Sequence, residues 1–354
     1  MMEQQTGMEG VLELRRQRRE KRRRRLRGVL QGLSFVGVTL LSLAGFVFGG
    51  SAMIISGPPQ PVRDLFVITV METSAAKFLA TTYLSDQEID AIIQANSVQT
   101  VNEVTDVTMV EVPDTKTEPE KDEEPIQVEE VVGPTFKGKM MIVRDPSRVY
   151  LATSGTFGAG ASGKRVEEMI ERDGAVGGVN AGGFVDEGGV GNGGQPLGLV
   201  ISQGEYLAGG RQTATAMAGF DGDNRLVVGN LTGQQALDMG LRDAVSFGPV
   251  LIVNGKRAEV EGTDGGVNPR TAIGQRADGT VLLLVIDGRQ PHSIGATYKD
   301  IIDVMEQYEA VNACNMDGGS SSLMFYQGEL ITTCASLYGS RQLPTAWLVK
   351  GEGE

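Results

Sequence analysis

Two carboxylates in the last third of the chain are candidates for acid–base or nucleophilic chemistry. Asp287 directly follows a continuous apolar run, and Asp317 follows a second apolar segment and precedes two glycines and three serines. Asp-Gly and Gly-Ser sequences are also common in turns, so each motif alone favours an ordinary turn. Two carboxylates at one sheet edge can transfer a glycosyl group to water, one as acid and the other as base or nucleophile. We therefore predict Asp287 and Asp317 as catalytic residues.

Cationic and glycine-rich segments are candidates for holding an anionic substrate. Arg270 lies in the segment NPRTAIG and is one of few cations in an acidic part of the chain. A planar guanidinium can bind phosphate or carboxylate through two hydrogen bonds, although a surface ion pair explains the spacing equally well. Backbone N–H groups in the segment NAGGF, which contains Gly182 and Gly183, could also bind an anion, although this motif by itself favours a flexible turn.

The elements that must position the two aspartates are a strand, a helix and a second strand. Thr280–Ile286 is apolar throughout, as expected of a strand that is buried on both faces. Thr297 is a predicted N-cap, and apolar residues then recur at helical spacing up to Tyr308. Ala310–Met316 is the next predicted strand. The pattern predicts a βαβ unit with parallel strands, which would place both aspartates at one edge of the sheet.

Shorter signals predict hairpins elsewhere in the same domain. One hairpin is expected across Gln203-Gly204, and another across residues 221–224. The single histidine, His292, lies in the loop after Asp287, where an incidental role is the commoner one. Cys314 and Cys334 could form a disulfide if the domain is exported, and the sequence leaves this open.

The first 57 residues have the pattern of a membrane anchor. Residues 1–27 contain ten Lys or Arg and four Glu, a charge of +6 in a chain of net charge −13, so the remainder carries −19. No charged residue occurs from Gly28 to Val62, and Val29–Ile55 would be about 40 Å long as a helix, enough to cross a bilayer. The alternative is a signal peptide, whose apolar region is usually shorter. The basic block predicts a cytoplasmic N-terminus and an extracytoplasmic C-terminal domain in the cell membrane.

The sequence thus predicts an α+β fold whose mixed sheet carries a C-terminal βαβ unit, preceded by one transmembrane helix and a stalk. Ser85 and Glu88 predict a capping box at the start of a stalk helix. Pro and dense acidic residues predict an extended linker before the last domain. The predicted segments are a basic cytoplasmic tail (1–27), a transmembrane helix (28–57), a partly helical stalk (58–110), an acidic linker (111–134) and a catalytic domain (135–354).

The order of motifs in residues 136–352 resembles the phosphodiester glycosidase family. The motifs are NAGGF, NPRTAIG, VIDGR, GATYKD and VNACNMDGGSSS. The family often has DGGGS where this chain has Ser320 as the third residue after Asp317, a position at which glycine permits a positive φ. The resemblance implies a pocket that includes Asn180, Gly182, Arg270, Thr271, Asp287, Asp317, Gly318, Gly319 and Ser321. Gly183 and Arg289, which lie in the motifs NAGGF and VIDGR, are further predicted substrate-binding residues.

The function implied by this resemblance is hydrolysis of a glycosyl-1-phosphodiester, such as a GlcNAc-1-phosphate linkage in a cell-surface glycan. The alternative is a non-catalytic factor that binds or assembles an exopolysaccharide or a cell-wall glycan. A two-metal phosphatase or nuclease is disfavoured, because the acidic residues are not clustered as a two-metal site requires. We expect no cofactor, although a Ca²⁺ ion held by Asp and carbonyl oxygens is the alternative. The expected partners are the sugar-phosphate polymer and the membrane, and the acidic chain excludes nucleic acid.

Overall fold

The chain divides into two compact units in the computed structural model. The units are residues 1–58 and 59–354, and the structure describes residues 2–57, 59–73, 76–99, 101–112, 124–158, 160–186, 191–263, 265–336 and 339–351. The first unit is one helix, α1 (Met2–Ser56). Its segment Lys21–Ser56 contains an 18-residue stretch with a mean hydropathy of 2.0 and is long and apolar enough to cross a membrane. The predicted apolar helix is therefore confirmed, whereas its insertion into a membrane stays a prediction.

The second unit begins with three short helices and continues with strands, among which three further helices occur. The helices of the described residues are α2 (Gln60–Met71), α3 (Phe78–Thr81), α4 (Asp86–Ala95), α5 (Val166–Asp173), α6 (Gly233–Asp238) and α7 (Tyr298–Gln307). The strands are β1 (Ile126–Val132), β2 (Lys137–Val143), β3 (Val149–Thr153), β4 (Gly177–Asn180), β5 (Val200–Ser202), β6 (Glu205–Ala208), β7 (Thr215–Phe220), β8 (Leu226–Leu231), β9 (Asp243–Ser246), β10 (Val250–Val253), β11 (Lys256–Arg257), β12 (Arg270–Arg276), β13 (Val281–Ile286), β14 (Ala310–Met316), β15 (Met324–Tyr326), β16 (Glu329–Leu330) and β17 (Thr345–Val349).

The strands form three antiparallel sheets. The largest has the order β1-β2-β13-β12-β14-β10-β11, and the others have the orders β16-β15-β4-β17-β3 and β6-β5-β9-β7-β8. Both predicted hairpins are present, since β5 pairs with β6 and β7 pairs with β8. The α+β class is confirmed, but the sheets are antiparallel rather than mixed.

The predicted βαβ unit is wrong in one respect. Strands β13 and β14 are joined by α7 and run in the same direction, but β12 lies between them and is antiparallel to both. The prediction failed because β12, which precedes β13 in the chain and forms a hairpin with it, also pairs with β14 and so separates the two strands. The consequence for the site is unchanged, because the carboxyl ends of β13 and β14 still face the same sheet edge.

Strand β13 is buried on both faces, as its composition predicted. Val281, Leu283 and Val285 pack into a core shared with the other two sheets. The alternate residues of the same strand pack against α7 on the opposite face. Side chains alternate between the two faces of a strand, so a strand between two apolar layers must be apolar throughout.

The predicted stalk belongs to the second unit. Helix α4 begins with the expected capping box, in which Glu88 Oε2 accepts a hydrogen bond from Ser85 N at 2.8 Å. Further along, Thr105 Oγ1 is bonded to Asn312 Oδ1 of β14 at 3.2 Å. This segment therefore packs against the sheets instead of standing apart from them.

The predicted acidic linker differs from the structure at its C-terminal end. Residues 126–132 form β1, an edge strand that pairs with β2 along its whole length. The β-branched residues Ile126, Val128 and Val131 favour a strand, and the density of acids concealed that signal. Residues 113–123 lie outside the described part of the chain.

Candidate active site

The seven-stranded sheet brings the sequence-predicted segments to one edge. In the pairing of β12 with β13, Arg270 lies opposite Ile286, and in the pairing of β12 with β14, Thr271 lies opposite Met316. The loops that follow β13 and β14 therefore leave the sheet where β12 enters it. A cavity of about 800 Å³ lies at this edge, a size typical of small-molecule sites.

The cavity is lined by charged, polar, aromatic and small residues from many separate parts of the chain. Its described lining residues are Glu72, Thr73, Arg165, Phe184, Asp186, Gly191, Phe247, Arg270, Arg289, Tyr298, Asn315, Asp317, Gly318, Gly319, Ser320, Ser321, Ala335, Ser336, Gly339, Ser340, Arg341 and Gln342.

Asp317 is the carboxylate with the strongest signs of reactivity in this cavity. Its main chain is fixed by a bond from Asp317 N to Ala181 O at 2.9 Å. Desolvation raises the pKa of its carboxyl to about 6, although hydrogen bonds from Ser321 and from the Gly318 N–H and the charge of Arg341 act in the opposite direction. A carboxyl with this pKa can exchange a proton near neutral pH.

Arg270 is anchored from behind and presents little of its guanidinium to the cavity. Its Nε donates to Ala296 O at 3.2 Å, and its Nη2 donates to the carbonyl oxygens of Gly265 and Gly266 at 2.7 and 3.0 Å. Its Nη1 lies 3.2 Å from Glu72 Oε2. Most of its five donors are therefore satisfied by the protein. Arg270 supplies positive charge to the site more than it supplies free hydrogen bonds.

Arg289 has donors that remain open. Its Nη2 donates to Asn268 Oδ1 at 3.0 Å and to Glu72 O at 3.3 Å. Its Nε and Nη1 have no hydrogen-bond partner among the described residues. A Cβ added at Gly319 would lie 3.4 Å from both Nη atoms, so the absence of a side chain there lets the guanidinium lie along the loop after β14. Arg289 is thus the better candidate for direct contact with an anionic ligand.

An ion pair that the sequence gave no reason to expect forms another wall of the cavity. Arg341 binds the Asp186 carboxylate through both Nη atoms at 2.8 Å, and this hydrogen bonding lowers the pKa of Asp186. The guanidinium of Arg341 also lies over the Phe184 ring at 4.7 Å and donates to Ser320 Oγ at 3.3 Å. The pair fixes the loop after β4 against the loop before β17.

The charges in the cavity favour an anion. Its described lining contains four arginines and three carboxylates, which give +1 when all are ionised, in a chain of net charge −13. A phosphodiester carries one negative charge. Binding it would neutralise the described charges of this partly buried site, which lowers the cost of leaving charge away from water.

Comparison with known proteins places the chain in a family. The family model for phosphodiester glycosidase matches residues 173–350, half of the chain. The chain belongs to the phosphodiester glycosidase family. The match begins near the end of α5 and includes every cavity residue named above except Glu72, Thr73 and Arg165.

The chain is similar to proteins of a bacterium and of a mammal. The chain is 32% identical over 197 residues to the SPbeta prophage-derived uncharacterized protein YomE of Bacillus subtilis, which covers 53% of this chain and 29% of that protein. It is 27% identical over 214 residues to the N-acetylglucosamine-1-phosphodiester alpha-N-acetylglucosaminidase of Bos taurus, which covers 54% of this chain and 40% of that protein. The chain thus spans less than half the length of either relative.

A solved structure shows the same fold. The catalytic domain of the zebrafish N-acetylglucosamine-1-phosphodiester alpha-N-acetylglucosaminidase, auto-inhibited by its pro-peptide, aligns with a TM-score of 0.53 and 20% identity. The alignment covers 66% of this chain and 86% of that domain.

Asp287, the other predicted catalytic residue, is not among the described residues that line the cavity. Its Oδ1 accepts a hydrogen bond from Thr333 N at 2.8 Å, and its main-chain oxygen accepts from Ser293 Oγ at 2.6 Å. His292 Nε2 lies 3.4 Å from both Asp287 Oδ2 and Thr333 Oγ1. Because one nitrogen makes both contacts, the imidazole cannot relay a proton from Thr333 to Asp287 through its two nitrogens. The contact with Thr333 ties Asp287 to the loop that leads to Ala335 and Ser336 of the cavity wall, and its catalytic role stays a prediction.

Two predicted binding residues lie beneath the cavity instead of in its lining. Asn180 is fully buried, and its amide donates to Asp317 O at 2.6 Å and accepts from Thr271 Oγ1 at 2.8 Å. It also accepts from Leu323 N at 3.3 Å. Asn180 and Thr271 therefore support the main chain of Asp317 from below.

The glycines of NAGGF are required for packing. The N–H of Gly182 donates to Thr345 Oγ1 at 3.1 Å, and a Cβ there would lie 2.3 Å from Val245 Cγ2. A Cβ at Gly183 would lie 2.7 Å from the Phe247 ring. These close contacts explain the glycines without an anion.

The backbone of the loop after β14 explains why Ser320 can replace the third glycine of the motif DGGGS that is frequent in the family. The left-handed residue in this loop is Gly319, with φ +62°, and Ser320 has no positive φ. Gly318, Gly319 and Ser321 line the cavity, as predicted. The third glycine of the usual family motif is therefore not required for the backbone shape of this loop.

Neither a cluster of potential metal ligands nor a disulfide occurs among the described residues. No group of three or more His, Cys, Asp or Glu among the described residues could hold a metal ion. Cys314 is free and buried in β14, and Cys334 is free and partly exposed.

Replacing Arg289 tests whether its Nε and Nη1 groups donate hydrogen bonds to the substrate. We expect Arg289→Ala to raise the KM for a phosphodiester substrate by about 10- to 100-fold, since hydrogen bonds to charged groups contribute about 1.5–3 kcal/mol. Steady-state kinetics measure this effect. Arg257→Ala is the matched control, because Arg257 is exposed and pairs with Asp303 and Glu306 instead. An unchanged KM in Arg289→Ala would remove this residue from the site.

Proposed function

We propose that this protein is a membrane-anchored extracytoplasmic hydrolase that cleaves a glycosyl-1-phosphodiester, such as a GlcNAc-1-phosphate linkage in a cell-surface glycan. The observation that carries the proposal is one cavity in which a carboxyl with a pKa of about 6, Asp317, shares the walls with Arg289 and Arg270. Membership in the phosphodiester glycosidase family supports the reaction class. A curated relative acts, by its name, on N-acetylglucosamine-1-phosphodiesters.

The proposed reaction breaks the bond between the anomeric carbon and the phosphate oxygen. The oxygen of water forms the new bond to C1, and the departing phosphate monoester takes the electron pair of the broken bond. Asp317, as a carboxylate, accepts the proton of the attacking water, or attacks C1 itself before water releases the sugar. Both routes need Asp317 ionised. Arg289 and Arg270 stabilise the charge that grows on the leaving phosphate.

The proposed localisation depends on α1. Ten cations precede its apolar segment, which favours retention of the N-terminus in the cytoplasm and of the second unit on the other side. The test is extraction of membranes with alkaline carbonate. An anchored chain of full length stays in the pellet, whereas a cleaved leader would yield a shorter chain in the supernatant.

The reaction is tested by incubating the purified full chain with a panel of glycosyl-1-phosphodiesters, including a GlcNAc-1-phosphodiester. We expect new reducing ends and a phosphate monoester in equal amounts, and a much slower release of both with Asp317→Asn. Binding of the polymer without release of product would contradict hydrolysis and support a non-catalytic glycan-binding factor.

A further inference from the structure

Helix α2 contributes a carboxylate to the cavity from outside the family-matched region. Glu72 caps the C-terminal end of α2 and lines the cavity together with Thr73. The family match begins at residue 173, about 100 residues later. Glu72 is therefore an addition to the cavity that the comparisons do not assign.

Glu72 is bonded to both arginines of the anion-binding wall. Its Oε2 lies 3.2 Å from Arg270 Nη1 and accepts a hydrogen bond from Asn268 Nδ2 at 2.6 Å. Its main-chain oxygen accepts from Arg289 Nη2 at 3.3 Å, and Asn268 Oδ1 accepts from the same nitrogen at 3.0 Å. Glu72, Asn268 and the two guanidiniums thus form one connected cluster, which we call the arginine cluster.

The carboxylate of Glu72 sets the charge of the arginine cluster. Two guanidiniums alone would carry +2, and with Glu72 ionised the cluster carries +1. Arg270 is almost fully buried, and Glu72 is one-third exposed, so water screens these charges only in part. Interactions between charges in such a site distinguish strongly between ligands that differ by one unit of charge.

The substrate and the product of the proposed reaction differ by one such unit. A phosphodiester is a monoanion at all pH values near neutrality. The phosphate monoester that leaves is mostly a dianion above pH 7, because its second pKa is about 6. A cluster of charge +2 would hold the dianionic product more tightly than the substrate.

We infer that Glu72 is a specificity-determining residue, which matches the arginine cluster to a monoanionic phosphodiester and disfavours the dianionic phosphate monoester. The inference rests on the proposed function, in that it assigns the arginine cluster to the phosphate of the substrate. The negative charge of Glu72 repels the second negative charge of a phosphate monoester. The contact with Arg270 holds the Glu72 carboxylate within the arginine cluster.

The test compares two small probes that differ by one methyl group and one charge. The dissociation constants of dimethyl phosphate and methyl phosphate are measured by calorimetry at pH 8 on the full chain and on Glu72→Gln. We expect the ratio of the two constants to shift toward methyl phosphate by about tenfold in Glu72→Gln. In kinetic assays, inhibition by methyl phosphate becomes stronger by a similar factor. Asp64→Asn is the matched control, since Asp64 lies on the same helix and pairs with Arg63, and it leaves the ratio unchanged.

The other outcomes overturn the inference. Parallel weakening of both probes would show that Glu72 only supports the structure, and parallel strengthening would show that it only blocks the cavity. An unchanged ratio would show no role in selection. If Glu72→Gln does not fold, Glu72→Ala is measured in its place, because it removes the same negative charge and must shift the ratio toward methyl phosphate in the same way. The probes need no turnover, so a chain that hydrolyses nothing but shows these shifts contradicts the proposed reaction and not the selection by charge.

Discussion

Asp317→Asn is expected to lower kcat/KM for a glycosyl-1-phosphodiester by about 10²- to 10⁴-fold, the usual contribution of a positioned acid–base group. Asparagine keeps the size of the side chain but can neither accept a proton nor attack the anomeric carbon. Initial rates of reducing-end release measure the loss. Asp238→Asn is the control, because Asp238 is an exposed residue of α6 bonded to Gln234.

The pH dependence of the wild type gives a second measure of the same residue. The pKa of Asp317 is about 6, and the proposed reaction needs the ionised form. The value of kcat/KM should therefore rise about tenfold per pH unit below 6 and level off above it. A profile that falls as the pH rises through 6 would instead make Asp317 a general acid and contradict the proposed role.

The stability of Asp317→Asn separates catalysis from folding. A pKa raised by burial means that the folded protein binds the proton more tightly than the unfolded chain, so this group lowers stability as pH rises from about 4 to about 6. Asparagine removes that penalty, which is worth at most about 3 kcal/mol. At pH 7 the variant should be at least as stable as the wild type. A large loss of stability together with activity would indicate a structural residue.

Trp347→Ala is expected to destabilise the second unit by about 3–5 kcal/mol, as for other large aromatic side chains removed from a core. Trp347 lies on β17, is fully buried, and packs edge to face with Phe220 of β7, with ring centroids 5.6 Å apart. Its Nε1 donates to Met316 Sδ of β14 at 3.4 Å. One side chain thus contacts all three sheets, and a cavity left there could close only if the sheets moved together.

Chemical denaturation followed by circular dichroism measures this change, because Trp347 is the single tryptophan and its removal abolishes the fluorescence signal. Leu330→Ala is the control, because Leu330 lies exposed on the edge strand β16 and should change stability by less than about 1 kcal/mol. A loss below about 1 kcal/mol in Trp347→Ala would mean that the three sheets do not share this contact as a core.

Local signals in the sequence predicted local structure well. Thr297 caps α7 through a capping box with Asp300, and the apolar run before Asp287 forms a strand that is buried on both faces. Both hairpins follow the turn residues that predicted them. These features depend on hydrogen bonds between near neighbours and on the period of the side chains, which a single sequence displays directly.

Local patterns in the sequence could not predict which strands pair with each other. The position of β12 between β13 and β14 depends on which strand buries the most apolar surface against which neighbour. Periodicity gives the face of a strand but not its partner. The β1 strand was missed because Glu129 and Glu130, which an edge strand leaves exposed, resemble the acids of the linker before it.

The sequence by itself determined the family, through the order of its motifs, and it identified Asp317, Arg289 and the glycines after Asp317 as members of the cavity. Only the tertiary structure showed that Asp287 is not among the described lining residues and that the donors of Arg270 are mostly occupied, and only it added Glu72, Asp186 and Arg341. Glu72 and Asn268 are bonded although 196 residues separate them in the chain. Such contacts are fixed by the packing of whole helices and sheets, whose free energy is spread over many residues, so no local pattern around either partner encodes them.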